Sequence, residues 1–158
     1  MEEMNILDKK SLSMSILMTP SMANFRGRVH GGDIMKLMDQ VAYACAARYC
    51  GKYAVTLSVD SITFKQPIAV GNLVTFNASV NYTGTSSLEI GIKVIAEDVY
   101  NHSNTHTNSA YFTMVCVDEE GKPAKVPEFI PQTDEEKRRH KNAIKRKEVR
   151  MELANKQM

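Results

Sequence analysis

The pattern of apolar positions predicts one long helix near the start of the chain. Residues 34–49 contain neither glycine nor proline, and apolar side chains recur there every three or four residues, the spacing of one helix face. This series consists of Ile34, Met38, Val41, Ala42, Cys45 and Tyr49. Few residues of the segment are strongly polar, which predicts that other elements cover most of the helix.

Alternating apolar and polar residues predict a short strand at residues 11–16, before the helix, and four longer segments after it. The longer segments are 53–65, 72–82, 86–99 and 107–117, with turn-forming residues between or after them. A single apolar face is typical of a half-exposed antiparallel sheet. The sequence therefore predicts an α+β domain in which an antiparallel sheet curls around one helix. The edges of such a sheet invite pairing with another chain.

Length and composition fit one globular domain followed by a charged tail. The chain has 158 residues, of which 43% are apolar and 24% charged, within the globular range. We assign residues 8–127 to the domain and residues 128–158 to a charged, helical C-terminal tail. Residues 133–158 carry a net charge of +4 and residues 1–132 a net charge of −2. Acidic residues interleave with the basic ones and aromatic residues are lacking there, so no nucleic-acid partner is expected.

Two further features predict a cytoplasmic protein with no membrane partner. The apolar run 16–18 is too short for a signal-peptide core or a membrane span. The three cysteines, Cys45, Cys50 and Cys116, cannot form a complete disulfide framework, and none belongs to a CxxC pair. This cysteine usage favours a reducing compartment.

Asp39 is the residue of the helix that suggests chemistry. It lies at the margin of the apolar face, where ionisation is costly unless hydrogen bonds or a polar cleft compensate. Two interpretations stay open: an ion-paired acid at a subunit boundary, or a general base or nucleophile.

Two glycines directly before the helix form the second candidate feature. Gly31 and Gly32 permit close backbone approach and leave amide groups at the positive end of the helix dipole, where an oxyanion can be stabilised. Asp39 lies about 10 Å further along the helix axis. The Asp39 carboxylate and the Gly32 amide can therefore contact opposite sides of one small reacting group.

The histidines and the buried cysteine favour structural roles. His30 is a candidate acid or ligand, although a lone histidine more often bonds a backbone carbonyl. His102 and His106 lack a third ligand at metal spacing, so we predict no metal site. Cys45, on the apolar helix face, is assigned to core packing.

Several motifs in order resemble the hotdog-fold acyl-CoA thioesterases, and within them the cytosolic acyl-CoA hydrolase group. They are NFRGRVHGG at 24–32, Met38-Asp39, VTLSVD at 55–60 with Phe64, Pro67 and Val70-Gly71, YTGTSSLE at 82–89 and YFTMV at 111–115. The resemblance extends over about residues 12–127.

The resemblance implies a hotdog domain that hydrolyses fatty acyl-CoA to free fatty acid and CoA without a cofactor. Sheets of two subunits would join edge to edge, and three such dimers would form a homohexamer. Asn24 and Asp39, from opposite subunits, would be the catalytic pair. The Gly32 amide, with His30 and Gly31 beside it, would bind the thioester oxygen.

The same resemblance implies a binding site for CoA on two strands and the tail. The residues expected to contact CoA are Leu57, Ser58, Val59, Ser86, Ser87 and Leu88, with Arg146 and Lys147 near its phosphates.

Two other functions are possible for this fold. A hydratase or dehydratase would place an Asp/His pair on the helix, but no histidine follows Asp39 there. A noncatalytic acyl-CoA-binding sensor would carry a DNA-binding module, for which neither the first ten residues nor the tail provides a helix-turn-helix. Thiol release from acyl-CoA separates a hydrolase from a sensor.

Overall fold

Five antiparallel strands form one sheet, and a helix packs on each of its faces. The computed structural model describes residues 9–157. In chain order its main elements are β1 (Ser11–Leu17), α1 (Gly31–Cys50), β2 (Tyr53–Val59), β3 (Leu73–Thr83), β4 (Ser87–Asp98), β5 (Ser103–Val117) and α2 (Asp134–Lys156). The strand order is β1-β3-β4-β5-β2. β1 and β2 are therefore the edge strands, and the predicted order of elements is confirmed.

The core lies between α1 and the inner face of the sheet. α1 buries Ile34, Met38, Val41, Ala42, Cys45, Ala46 and Cys50. The predicted alternation is confirmed on β3 and β4, whose inward residues are buried: Val74, Phe76, Ala78, Val80, Leu88, Ile90, Ile92 and Val94. Removal of these side chains from water is the main stabilising contribution of this interface. Within residues 9–157, neither helix is both long and apolar enough to cross a bilayer.

β2 is shorter than the predicted segment 53–65. Its register against β5 shifts between Thr56 and Ser58, and the strand ends at Val59. The chain then continues along β5 through single hydrogen bonds, from the Asp60 amide to the Tyr111 carbonyl at 3.0 Å and from the Lys65 amide to the Thr107 carbonyl at 3.1 Å. The bulge disrupts the regular ladder, so alternation in the sequence overestimates the length of the strand.

α2 forms the predicted helical tail and lies on the outer face of the sheet. Thr133 caps it by accepting a hydrogen bond from the Glu136 amide at 3.1 Å, an N-terminal arrangement that favours helix formation. Lys10 forms an ion pair with Glu136 at 2.6 Å near β1. Further contacts to the sheet come from Arg146 and Arg150. The tail is therefore packed on the strands, while the assigned domain start at residue 8 lies outside the described residues.

The cysteines differ from the sequence-based expectation. Cys50, at the end of α1, is paired with Cys116 on β5 in a disulfide. Strand pairing and helix packing bring these residues together although they are 66 residues apart in the chain, which spacing alone does not reveal. Cys45 is free and buried, in agreement with the assignment to core packing, and its burial raises the pKa of the thiol to about 12.

Candidate active site

Asp39 is held by a hydrogen bond from the neighbouring strand. The Thr56 hydroxyl on β2 donates to Asp39 Oδ1 at 2.6 Å, a short distance typical of a charge-assisted bond. The Asp39 side chain is exposed in the single chain, and its Oδ2 atom has no hydrogen-bond partner among the described residues. One oxygen is thus fixed while the other is open to a ligand.

Thr56 was missed in the sequence analysis. It lies beside the register shift of β2, a kind of irregularity that is over-represented next to active sites. Its pairing with the buried Met114 on β5 directs it to the helix side of the sheet. A polar residue at an inward position of the strand that follows the helix was the available signal.

The start of α1 presents two backbone amides without acceptors. The His30 carbonyl accepts from the amides of Asp33 and Ile34 at 3.1 and 3.3 Å. Within residues 9–157, the amides of Gly31 and Gly32 have no such partner, as is usual for the first positions of a helix. Together with the helix dipole, these amides form a site suited to a developing oxyanion.

Gly31 and Gly32 lie in different surroundings, which give different reasons for a glycine at each position. A Cβ atom on Gly31 would lie 3.4 Å from the ring of Phe64, whereas a Cβ atom on Gly32 would meet nothing within 4 Å. Neither glycine has a positive φ. Packing inside the chain therefore restricts residue 31 but does not restrict residue 32. The glycine at 32 keeps the approach to its own amide open.

Asn24 organises the loop that leads into α1. Its Oδ1 accepts from the amides of Arg26 and Arg28 at 2.9 and 3.0 Å. The turn also contains Gly27 with φ +73°. No hydrogen bond among the described residues joins Asn24 to Asp39.

The predicted CoA-binding residues differ in accessibility. Leu57 is 67% exposed at the bulge of β2, and Val59 is exposed as well. Ser58, Ser86 and Ser87 are partly exposed. β5 separates β2 from β4, so the two groups lie about 10 Å apart. Leu88 is fully buried, which leaves only its backbone available for contact with a ligand.

The two basic residues of the tail are already engaged with the sheet. Arg146 donates from Nε and Nη2 to Glu89 at 3.1 and 2.6 Å, and its guanidinium lies 3.6 Å from the centre of the Tyr111 ring. Lys147 Nζ donates to the Tyr82 hydroxyl at 3.2 Å. An ammonium group with three donors retains capacity for a phosphate, whereas most of the Arg146 fork is occupied.

An exposed apolar surface surrounds Asp39. Met35 and Tyr43, one helical turn before and after it, are exposed, as are Leu57 and Val59 on the edge strand that carries Thr56. Several large apolar side chains exposed in one region are typical of an interaction site. Asp39 therefore lies within a surface suited to covering by another molecule.

Within residues 9–157 the histidines belong to no metal-binding cluster. His106 Nε2 contacts Ser109 Oγ at 2.9 Å and the Asn108 carbonyl oxygen at 3.1 Å. Within the described part of the chain, no group of three or more His, Cys, Asp and Glu residues is placed to hold a metal ion.

Comparison with known proteins identifies the family. Residues 26–101 match the model of the thioesterase superfamily. Protein VdlD of Helicobacter pylori is 55% identical over 143 residues, which cover 90% of this chain and 82% of VdlD. The uncharacterized acyl-CoA thioester hydrolase YkhA of Bacillus subtilis is 35% identical over 127 residues, 80% of this chain and 74% of YkhA. The chain belongs to the thioesterase superfamily.

Solved structures of superfamily members share the fold. A hexameric acyl-CoA thioesterase is 34% identical with a TM-score of 0.89, covering 93% of this chain and 94% of that chain. An acyl-CoA hydrolase from Staphylococcus aureus, solved with butyryl-CoA, is 32% identical with a TM-score of 0.86, covering 96% and 93%. The predicted hotdog fold is confirmed by these likenesses.

Three variants of the S. aureus thioesterase reproduce the spacing of the candidate site. They replace an asparagine, an aspartate and a threonine by alanine. Along that chain the asparagine and aspartate are 15 residues apart, and the aspartate and threonine are 17 residues apart. Asn24, Asp39 and Thr56 have the same separations and the same residue types.

Proposed function

We propose that the protein hydrolyses acyl-CoA thioesters to a free fatty acid and CoA. The observation that carries this proposal is the Asp39 carboxylate, with one oxygen held by Thr56 at 2.6 Å and the other unpartnered among the described residues. This carboxylate lies in a member of the thioesterase superfamily, on the same helix as the open Gly32 amide. The two features supply a base or nucleophile and an oxyanion donor.

In the proposed reaction, Asp39 activates water or attacks the thioester carbonyl directly. In the first route, the carboxylate takes a proton from water as the oxygen adds to the carbonyl carbon. The negative charge that develops on the carbonyl oxygen is stabilised by the Gly32 amide. Collapse of the tetrahedral intermediate breaks the carbon–sulfur bond, and the proton passes to the CoA thiolate. In the second route, the carboxylate attacks the carbonyl carbon, the carbon–sulfur bond breaks to release CoA thiolate, and an acyl-aspartate anhydride remains. Water then hydrolyses the anhydride to the fatty acid, and the proton left on Asp39 passes to the thiolate, which returns the carboxylate.

We further propose that the site is completed by a second subunit through the β2 edge. The exposed apolar surface around Asp39 supports this arrangement, as does the absence of an Asn24 to Asp39 hydrogen bond within the described chain. A twofold pairing would place Asn24 of one subunit opposite Asp39 of the other. A hexamer made of three dimers is proposed from the related hexameric thioesterases.

For CoA, we propose contacts with Leu57, Ser58 and Val59 on one side and with Ser86, Ser87 and the Leu88 backbone on the other. Lys147 is proposed as the phosphate contact. Arg146 is reassigned to support of the tail because Glu89 and Tyr111 engage its guanidinium. A cytoplasmic location is proposed from mammalian relatives that are named cytosolic acyl coenzyme A thioester hydrolases. The match covers 36% of the length of the rat protein.

Thiol release tests the proposal. The purified protein is incubated with butyryl-CoA and with palmitoyl-CoA, and free CoA is followed with a chromogenic disulfide. We expect catalytic release of one thiol per thioester, accompanied by one equivalent of fatty acid. Saturable binding of both acyl-CoAs without thiol release above the uncatalysed rate would contradict hydrolysis and favour the sensor.

A further inference from the structure

A cluster of charged side chains joins α2 to the end of β2. Glu89 on β4 is only 2% exposed and accepts both hydrogen bonds from Arg146. One turn further along α2, Arg150 Nη1 donates to Asp60 at 3.1 Å to Oδ2 and 3.3 Å to Oδ1. The same nitrogen lies 3.8 Å from Glu89 Oε2. Arg150 therefore bridges the buried carboxylate and the residue that directly follows β2.

Asp60 lies between two parts of the proposed active site. Four residues before it, Thr56 donates to Asp39. Four residues after it, Phe64 packs at 3.4 Å from the position of a Cβ atom on Gly31. Asp60 is therefore four residues along the chain from each of these two contacts, one with the carboxylate and one with the start of α1.

The segment that carries Phe64 has little backbone support of its own. Among the described residues, its amides bond to β5 only through Asp60 and Lys65. The Asp60 carboxylate adds a side-chain anchor beside the first of these. Arg150 Nη1 contacts both oxygens of this carboxylate, and such a charge-assisted contact restrains the distance between the two side chains.

We propose that Arg150 is a positioning residue for thioester hydrolysis, acting through Asp60 to hold the end of β2 and Phe64 against the start of α1. This inference rests on the proposed function. It assigns to the C-terminal tail a role in catalysis that is separate from contact with CoA. A misplacement of about 1 Å in a catalytic arrangement reduces the rate by about 100-fold, so loss of the anchor is expected to affect turnover.

The test compares Arg150→Gln with Lys10→Gln. Both substitutions remove an ion pair that ties α2 to the rest of the chain, at 3.1 Å for Arg150 to Asp60 and 2.6 Å for Lys10 to Glu136. The side-chain exposures are also matched, at 24% and 20% for the first pair and 26% and 16% for the second. Only the first pair leads to the proposed active site.

We expect kcat to fall about tenfold or more in Arg150→Gln and to change less than about twofold in Lys10→Gln. The same loss is expected with butyryl-pantetheine, which lacks the nucleotide, because the effect is on chemistry. Arg150→Lys should recover part of the loss by restoring the charge. Thermal unfolding shows whether Arg150→Gln and Lys10→Gln lose comparable stability.

Two results would overturn the inference: wild-type kcat in folded Arg150→Gln, or an equal loss in Lys10→Gln. If Arg150→Gln does not fold, Asp60→Asn removes the same ion pair from the other side and must show the tenfold loss; wild-type kcat there also overturns it. Failure of the proposed function is recognised separately, by the absence of thiol release above the uncatalysed rate in the wild-type protein.

Discussion

Removal of Arg146 is predicted to destabilise the fold strongly, because it leaves Glu89 buried without its principal partner. Arg146→Met eliminates hydrogen bonds of 3.1 and 2.6 Å and the contact with the Tyr111 ring. Glu89 would then retain Asn81 at 3.2 Å and Arg150 at 3.8 Å. A broken buried ion pair costs about 3–5 kcal/mol.

The structure places the expected value near the lower limit of this range. The Arg146 side chain is 23% exposed, so water screens part of the interaction, and Arg150 can move closer to Glu89. We therefore expect a loss of about 3 kcal/mol in the free energy of unfolding. The double variant Glu89→Met/Arg146→Met removes both charges and should lose only about 1 kcal/mol or less relative to wild type.

Urea unfolding at one fixed protein concentration measures both changes, since the stability of an oligomer depends on concentration. The double-mutant cycle then gives a coupling energy of about 2 kcal/mol or more. Additive losses in the cycle, or a cost below about 1 kcal/mol for Arg146→Met, would refute the reasoning. A tenfold rise in KM for acyl-CoA without loss of stability would instead indicate that Arg146 binds the phosphates of CoA.

Three further predictions concern the site and the core. Thr56→Val should lower kcat about 10- to 100-fold, as expected for loss of a hydrogen bond to a charged group, while Thr56→Ser retains most activity; equal rates for both variants would contradict this role. Asn24→Ala and Asp39→Ala proteins that are dissociated and then reassociated together should recover about a quarter of wild-type activity, because each mixed dimer contains one intact site. If the mixed dimers show only the sum of the two parental activities, both residues belong to the site of one subunit. Because burial raises its pKa to about 12, Cys45 should resist iodoacetamide at pH 8 in the native protein and react after denaturation. Mass spectrometry measures the alkylation, and alkylated Cys45 in the native protein would contradict this prediction.

The elements of this fold are largely predictable because local periodicity and tertiary packing agree. The apolar spacing around Met38 and Val41 defines a helix that the sheet indeed covers. Alternation on β3 identifies the inward residues correctly. The end of β2 could not be predicted because its bulge depends on pairing with β5, a strand more than fifty residues away in the chain.

The partners of the functional residues were less accessible from sequence than the residues themselves. Asp39 is conspicuous as an acid on an apolar helix, but its bond from Thr56 requires the strand to be placed against that helix. The packing of α2 brings Arg146 to Glu89, 57 residues away, and this contact could not be predicted from the sequence. Long-range pairing also determines the disulfide between Cys50 and Cys116.

The turnover of Asp39→Asn tests the central claim most directly. The substitution preserves size and can still accept the Thr56 hydrogen bond, but it removes the base or nucleophile. Thiol release from butyryl-CoA should fall by about two to four orders of magnitude, with the fold and butyryl-CoA binding retained. Asp33→Asn, which changes the other acid of α1, should keep wild-type turnover. An Asp39→Asn protein with half or more of wild-type turnover would contradict the assignment of Asp39 as the catalytic carboxylate.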